Sequence, residues 1–323
     1  MKNIWNIIKE WMLPIAMTTG ASIYLIYHVM PEPVHRMGPV LSEFVGVLQP
    51  LLIFAMLFLT FCRIEPRELK PHRWHWWLLL IQGGLFVLLG LGVVALRRWV
   101  LADTSFAQIL IECAMLCLIC PTATAAAVVT RKLGGDIPGI TTYIVLINIL
   151  TAVLVPLMIP LLGGQGSLGF WPAFNMIMAK VFPLLITPCL CAWLVRYLFP
   201  RLHRRLVKYP DLPFYIWSVA LTLAIALTTK AIIHSDASIG LLLAMSGVSL
   251  VCCAFQFAFG RYVGGRYGGE ARKITAGQSM GQKNTIFLIW LAYTFMTPVT
   301  AIVGGLYSIW HNIYNSWQLK HRK

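Results

Sequence analysis

Acidic side chains are scarce in this chain: Asp and Glu together number 11 in 323 residues, and all charged types make up only 11%. Soluble domains carry roughly a quarter. A water-exposed globular surface is therefore excluded for most of the length, and lipid is the expected solvent. Other absences narrow the field further. None of the cysteines (Cys62, Cys113, Cys117, Cys120, Cys189, Cys191, Cys252, Cys253) lies in an external loop, which argues against a disulfide framework. The histidines (His28, His35, His72, His75, His203, His234, His311, His321) fall in loops or near span ends, so no intramembrane metal or acid–base cluster is expected. Nothing is left over for a soluble domain.

What the chain does have is apolar length, with 59% hydrophobic residues. A helix needs about 20 mostly apolar residues to cross the bilayer core, because its backbone must pair internally where water is absent. Ten such runs can be placed: Ile7 to Val29, Phe44 to Cys62, Trp76 to Leu96, Phe106 to Thr130, Ile140 to Leu162, Trp171 to Leu198, Phe214 to Ile233, Ile239 to Phe259, Ile274 to Phe295 and Val299 to Trp317. The expected fold is an all-α polytopic membrane protein of about ten transmembrane helices. The first run lacks a small-residue cleavage site and is read as a retained span. Tryptophans such as Trp5, Trp11, Trp76, Trp171 and Trp317 sit near span ends, as interfacial anchors do.

The net charge of +15 does not point to nucleic acid, because its placement follows the spans. With ten spans, 20 of the 26 Lys and Arg fall on the side of the termini and the even-numbered loops. Only Arg36, Arg97, Arg98 and Lys230 fall opposite, and Lys180 and Lys283 lie within spans. Basic loops mark the cytoplasmic face. Both termini are expected there, in a plasma membrane such as the bacterial inner membrane.

Five spans per half, residues 1–162 and 163–323, would make the second half an inverted copy of the first, a common transporter plan. Spans four and nine carry the paired interruptions that mark a binding site in such folds. In span four, Cys120, Pro121 and Thr122 interrupt the apolar run before Ala123 to Ala127, and proline removes an N–H and clashes with the preceding turn. In span nine, GQSMGQKNT from Gly277 sets Ser279, Gly281, Gln282, Lys283 and Asn284 inside an apolar segment. At about 1.5 Å per residue, Pro121 and Lys283 both come near mid-depth. Each following half-helix begins with free N–H groups that suit an anion, and each preceding one ends in carbonyls that suit a cation.

Lys283 is the most informative residue, since a lysine at that depth costs a few kcal/mol unless it faces a cavity or a partner. It is read as an ion-pair member, a fixed charge for an anionic substrate, or a proton-binding group. Thr122, Thr124, Asn148 and Gln82 are further candidates for substrate binding or coupling. Glu112 and Lys180 enter from the outer side at similar depth and could pair. Cys113, Cys117 and Cys120 share one helical face, which suits either packing or a soft metal.

At these residues the sequence resembles the bile acid:sodium symporters, through CPTATAAAVVTRKLGGD in span four, KVFPLLITPCLCAWLVR in span six and SMGQKNTIFL in span nine. The resemblance implies crossing broken helices four and nine, a panel of helices 1, 2, 6 and 7, and a core of helices 3, 4, 5, 8, 9 and 10. It implies a secondary transporter of a small organic anion, with no cofactor beyond a coupling ion. In span nine that family carries an acid, a glycine, a glutamine and an asparagine, where this chain has Ser279, Gly281, Lys283 and Asn284. Its Ser-Asn pair in span four corresponds to Ala126 and Ala127, and Gln82 corresponds to a sodium-site glutamine. Alanines supply no oxygen ligand and an ammonium repels sodium. The family's sodium sites are therefore expected to be degenerate, with Lys283 standing in for a bound cation and a proton as the alternative coupling ion. The rival expectations are a metalloid or other small-solute exporter of a related ten-helix family, relying on Cys120, and a membrane enzyme or sensor, for which converging acid, base or metal groups are missing.

Overall fold

The structure, a computed structural model, describes residues 12–31, 36–99, 106–162, 169–209, 212–235 and 237–321. Helices account for nearly all of them: α1 Met12–Val29, α2 Gly38–Phe61, α3 Arg73–Trp99, α4 Phe106–Ile119, α5 Ala125–Lys132, α6 Ile137–Met158, α7 Phe170–Leu198, α8 Pro200–Val207, α9 Leu212–His234, α10 Ile239–Tyr267, α11 Glu270–Gly281, α12 Thr285–Phe295 and α13 Pro298–His321. No β-strand occurs among the described residues. Positions 7–11, where the first predicted span begins, lie outside them.

Among the described residues six helices are long and apolar enough to cross a bilayer by themselves, and the chain is an all-α polytopic membrane protein. Predicted spans four and nine fall short of that length for one physical reason: each is broken into two half-helices, α4 with α5 and α11 with α12. Helix α13 has 24 residues, but it carries Ser308, His311, Asn312 and Asn315, which lower its hydropathy.

Local chemistry sets the helix ends. Asp136 caps α6 by accepting from the Gly139 amide at 3.2 Å, and Ser238 caps α10 by accepting from Leu241 N at 3.2 Å; each such cap satisfies one of the helix's free donors. Helix α5 stops at Gly134, which has φ 66°, a left-handed conformation that glycine adopts without a Cβ penalty. Pro200 and Pro298 open α8 and α13, where a missing N–H costs nothing.

Helices α1, α2, α7 and α9 pack on one another in one group, while α3, α4, α6, α10, α11, α12 and α13 form the other. Contacts between α6 and α7 and between α9 and α13 join them. The tightest packing is between α10 and α11, where a Cβ on Gly260 would land on the Ala276 carbonyl and one on Gly264 on the Arg272 carbonyl. Two glycines one helical turn apart let the backbones approach, and in a membrane such packing holds helices together where hydrophobic exclusion cannot.

Candidate substrate and coupling site

The two helix breaks meet. Residues 120–124 and 282–284 run antiparallel and form a single β-bridge between Thr122 and Lys283. The Ala123 amide donates to Gln282 O at 2.9 Å and the Asn284 amide donates to Pro121 O at 2.8 Å. Backbone groups that proline and the interruption free from helical pairing thus satisfy one another at the centre of the protein, as buried peptide groups must. The Thr122 hydroxyl adds a bond to the Ser279 carbonyl, and the Tyr307 hydroxyl donates to Gly281 O at 2.8 Å.

Helix α4 ends here with free carbonyls pointing into a water-poor interior. Four side chains from different parts of the fold meet four successive ones. Gln256 of α10 donates to Cys117 O at 3.3 Å, and Lys283 donates to Leu118 O at 3.1 Å. Thr151 of α6 donates to Ile119 O at 3.0 Å, and Gln82 of α3 donates to Cys120 O at 3.4 Å. Tyr143 in turn holds Gln82, donating to its Oε1 at 2.6 Å. The ammonium of Lys283, whose residue is 1% exposed, lies at the negative end of a helix dipole, where a cation is favoured. No salt bridge among the described residues engages it, so the ion-pair reading of Lys283 gives way to one in which a helix terminus is its partner.

On one side the crossing opens into a cavity of about 870 Å³ between the two helix groups. Its wall includes Arg63, Arg131, Lys132, Lys283 and His311, and no acidic residue among the described ones. Thr124, Gln282 and Asn284 lie at its inner end. Thr124 is the N-cap of α5 but makes no capping bond with its side chain, so the α5 amides beside it have no side-chain acceptor. Asn284 Oδ1 accepts from the Phe287 amide at 3.3 Å and caps α12, whereas its Nδ2 has no partner. Gln282 Oε1 is likewise unpaired. Both atoms are buried, so two unpaired amide groups lie just beneath the wall of a basic cavity.

Several expected residues are elsewhere. Asn148 turns back on its own helix, donating to Ile144 O at 2.6 Å, and does not line the cavity. Ser279 keeps its hydroxyl buried without a partner. Of the degenerate sodium positions, Ala126 is buried and Ala127 faces the cavity. The candidate pair Glu112 and Lys180, which the sequence leaves open, does not form. Glu112 accepts from Gln108 at 2.8 Å and from Thr300 at 3.4 Å, while the Lys180 ammonium sits 5.7 Å from the centre of the Phe295 ring. A carboxylate beside the first turn of α13 finds hydroxyl and amide donors close at hand, and Lys180 faces outward on α7. Cys120, on which the metalloid reading depends, donates its thiol to Asn284 O at 3.1 Å and lies outside the cavity wall. The sequence places His311 near a span end. It is in fact 5% exposed and lines the cavity, one face of α13 with Ser308, Asn312 and Asn315. The polar spacing 308, 311, 312, 315 was the available signal.

A membrane-embedded all-helical frame, two broken helices crossing at mid-chain contacts, and a large one-sided cavity ending on them define a membrane transporter. The family profile described as "Sodium Bile acid symporter family" matches residues 50–235, more than half of the chain, and the chain belongs to that family. No curated protein sequence matches it.

Proposed function

We propose that this transporter moves a small organic anion by alternating access, and that Lys283 occupies the place of a coupling cation. One observation carries the reading: among the described residues, the wall of the cavity that ends on the crossing includes four Arg and Lys and no acidic residue. A carboxylate or sulfonate entering it meets the start of α5 and the rim charges of Arg131 and Lys132. The antiparallel breaks are consistent with two inverted halves, 1–162 and 163–323. The two helix groups fit a panel and a core between which access alternates. By the positive-inside rule the basic cavity faces the cytoplasm, with both termini on that side of a bacterial inner membrane.

Sodium coupling of the family kind is disfavoured by Ala126, Ala127 and Ser279 at the ligand positions and by an ammonium already seated on the α4 carbonyls. The test is uptake of labelled organic anions into proteoliposomes, with and without a sodium gradient. Saturable anion uptake that is indifferent to sodium is expected. A strong rise with the sodium gradient, or transport of neutral solutes in preference to anions, would overturn the proposal.

A further inference from the structure

Helix α8, Pro200–Val207, is short and strongly basic and follows directly on α7, one of the helices long and apolar enough to span a bilayer. At 100° per residue, Arg201, Arg204, Arg205 and Lys208 fall within an arc of about 100°, and Lys208 keeps helical φ and ψ as the C-cap. All four are exposed. None of their side chains has a hydrogen bond or ion pair among the described residues, whereas Arg196 pairs with Glu65 and Arg261 with Glu270. The opposite face is fastened down: the His203 ring donates to Cys62 O at 2.7 Å, and Arg63 donates to Tyr209 O at 2.7 Å just beyond the helix. Leu202 at the flank of the basic face and Phe199 at the junction with α7 are 47% and 55% exposed, an apolar edge that none of the described residues covers. Val207 borders the large cavity, so the helix lies at its mouth.

We infer that α8 is an interfacial helix that binds anionic phospholipid headgroups of the leaflet it lies in, with Arg201, Arg204, Arg205 and Lys208 on the phosphates and Phe199 and Leu202 in the acyl boundary. Cations on one arc with an apolar flank are what such a surface selects. An acidic protein partner would account for the charges and leave the apolar edge at the end of a membrane span without a role. Each basic residue near an anionic surface contributes about fivefold to binding, and the four act together because they share one face. The lipids would hold the α7–α9 side of the cavity to the leaflet.

The experiment follows thermal unfolding of the full-length chain in a neutral detergent with added short-chain phosphatidylglycerol or phosphatidylcholine. Phosphatidylglycerol is expected to raise the midpoint well above phosphatidylcholine, with the difference fading as sodium chloride approaches about 0.5 M through screening. R201Q/R204Q/R205Q/K208Q is expected to lose the difference while keeping its midpoint in phosphatidylcholine. Equal shifts from both lipids, a difference indifferent to salt, or an equal shift from inorganic phosphate or soluble glycerol phosphate would each overturn the proposal. So would a quadruple variant that retains the full response.

Discussion

Replacing Lys283 with methionine tests whether its ammonium is doing the job of a bound cation. The substitution keeps most of the side-chain volume and removes one charge-assisted hydrogen bond, to Leu118 O at 3.1 Å. Leaving that carbonyl buried and unpaired costs about 1–3 kcal/mol, and the lost interaction with the α4 terminus adds up to about 2 kcal/mol. Against this stands the relief of not burying an ammonium, about 3 kcal/mol on insertion scales. The terms nearly cancel, so K283M should fold, with a midpoint within about 5 °C of the parent at roughly 2 °C per kcal/mol. The deficit it leaves is specific, however: a carbonyl terminus without its cation. Sodium, potassium or ammonium at ten times its dissociation constant would restore about 1.4 kcal/mol. The expected result is a midpoint that rises with one of these ions in K283M and is flat in the parent. A parent that responds to sodium as strongly as the variant, or a variant that responds to no monovalent cation while its anion transport is unchanged, would refute the stand-in role.

In G260A the new methyl meets the Ala276 carbonyl, which belongs to a packed helix and cannot step aside, so a loss of about 1–3 kcal/mol should appear as reduced folded yield by size-exclusion fluorescence. Replacing both Arg131 and Lys132 with glutamine removes two of the cavity's rim charges. Anion uptake should show a higher KM, by up to about tenfold at low ionic strength, and the gap to the parent should narrow in salt. For Glu112 and Lys180, a double-mutant cycle with E112Q and K180Q should give a coupling energy below about 0.5 kcal/mol; thermal unfolding would read a direct ion pair as clearly more.

Much of the frame is legible in the sequence because lipid imposes one rule everywhere: long apolar runs become helices. Predicted and observed boundaries agree within a few residues for spans such as Trp171 to Leu198, which is α7 Phe170–Leu198. Polar residues at the breaks are equally legible, since Pro121 and Lys283 are costly in an unbroken span. What escapes is partner choice. Nothing in the sequence gives Thr151, Gln82 and Gln256 a common target, yet each meets a different carbonyl at the end of α4, a convergence set by packing across four helices. The Glu112–Lys180 pairing failed for the same reason, since equal depth does not fix rotation about the helix axis. Helix α8 was hidden because its arginines counted as loop charge, and only the angular spacing of 201, 204, 205 and 208 distinguishes a helix face from a basic loop.

The mutual bonding of the two breaks, Ala123 to Gln282 and Asn284 to Pro121, has a mechanical consequence. Chain interruptions ordinarily serve as joints, but here each leans on the other through backbone groups that have no substitute partner in lipid. The crossing is thus a rivet. Under the alternating access proposed above, the motion would occur along the seam between the helix groups, and the polar tip of the site would travel with one rigid piece instead of being taken apart in each cycle.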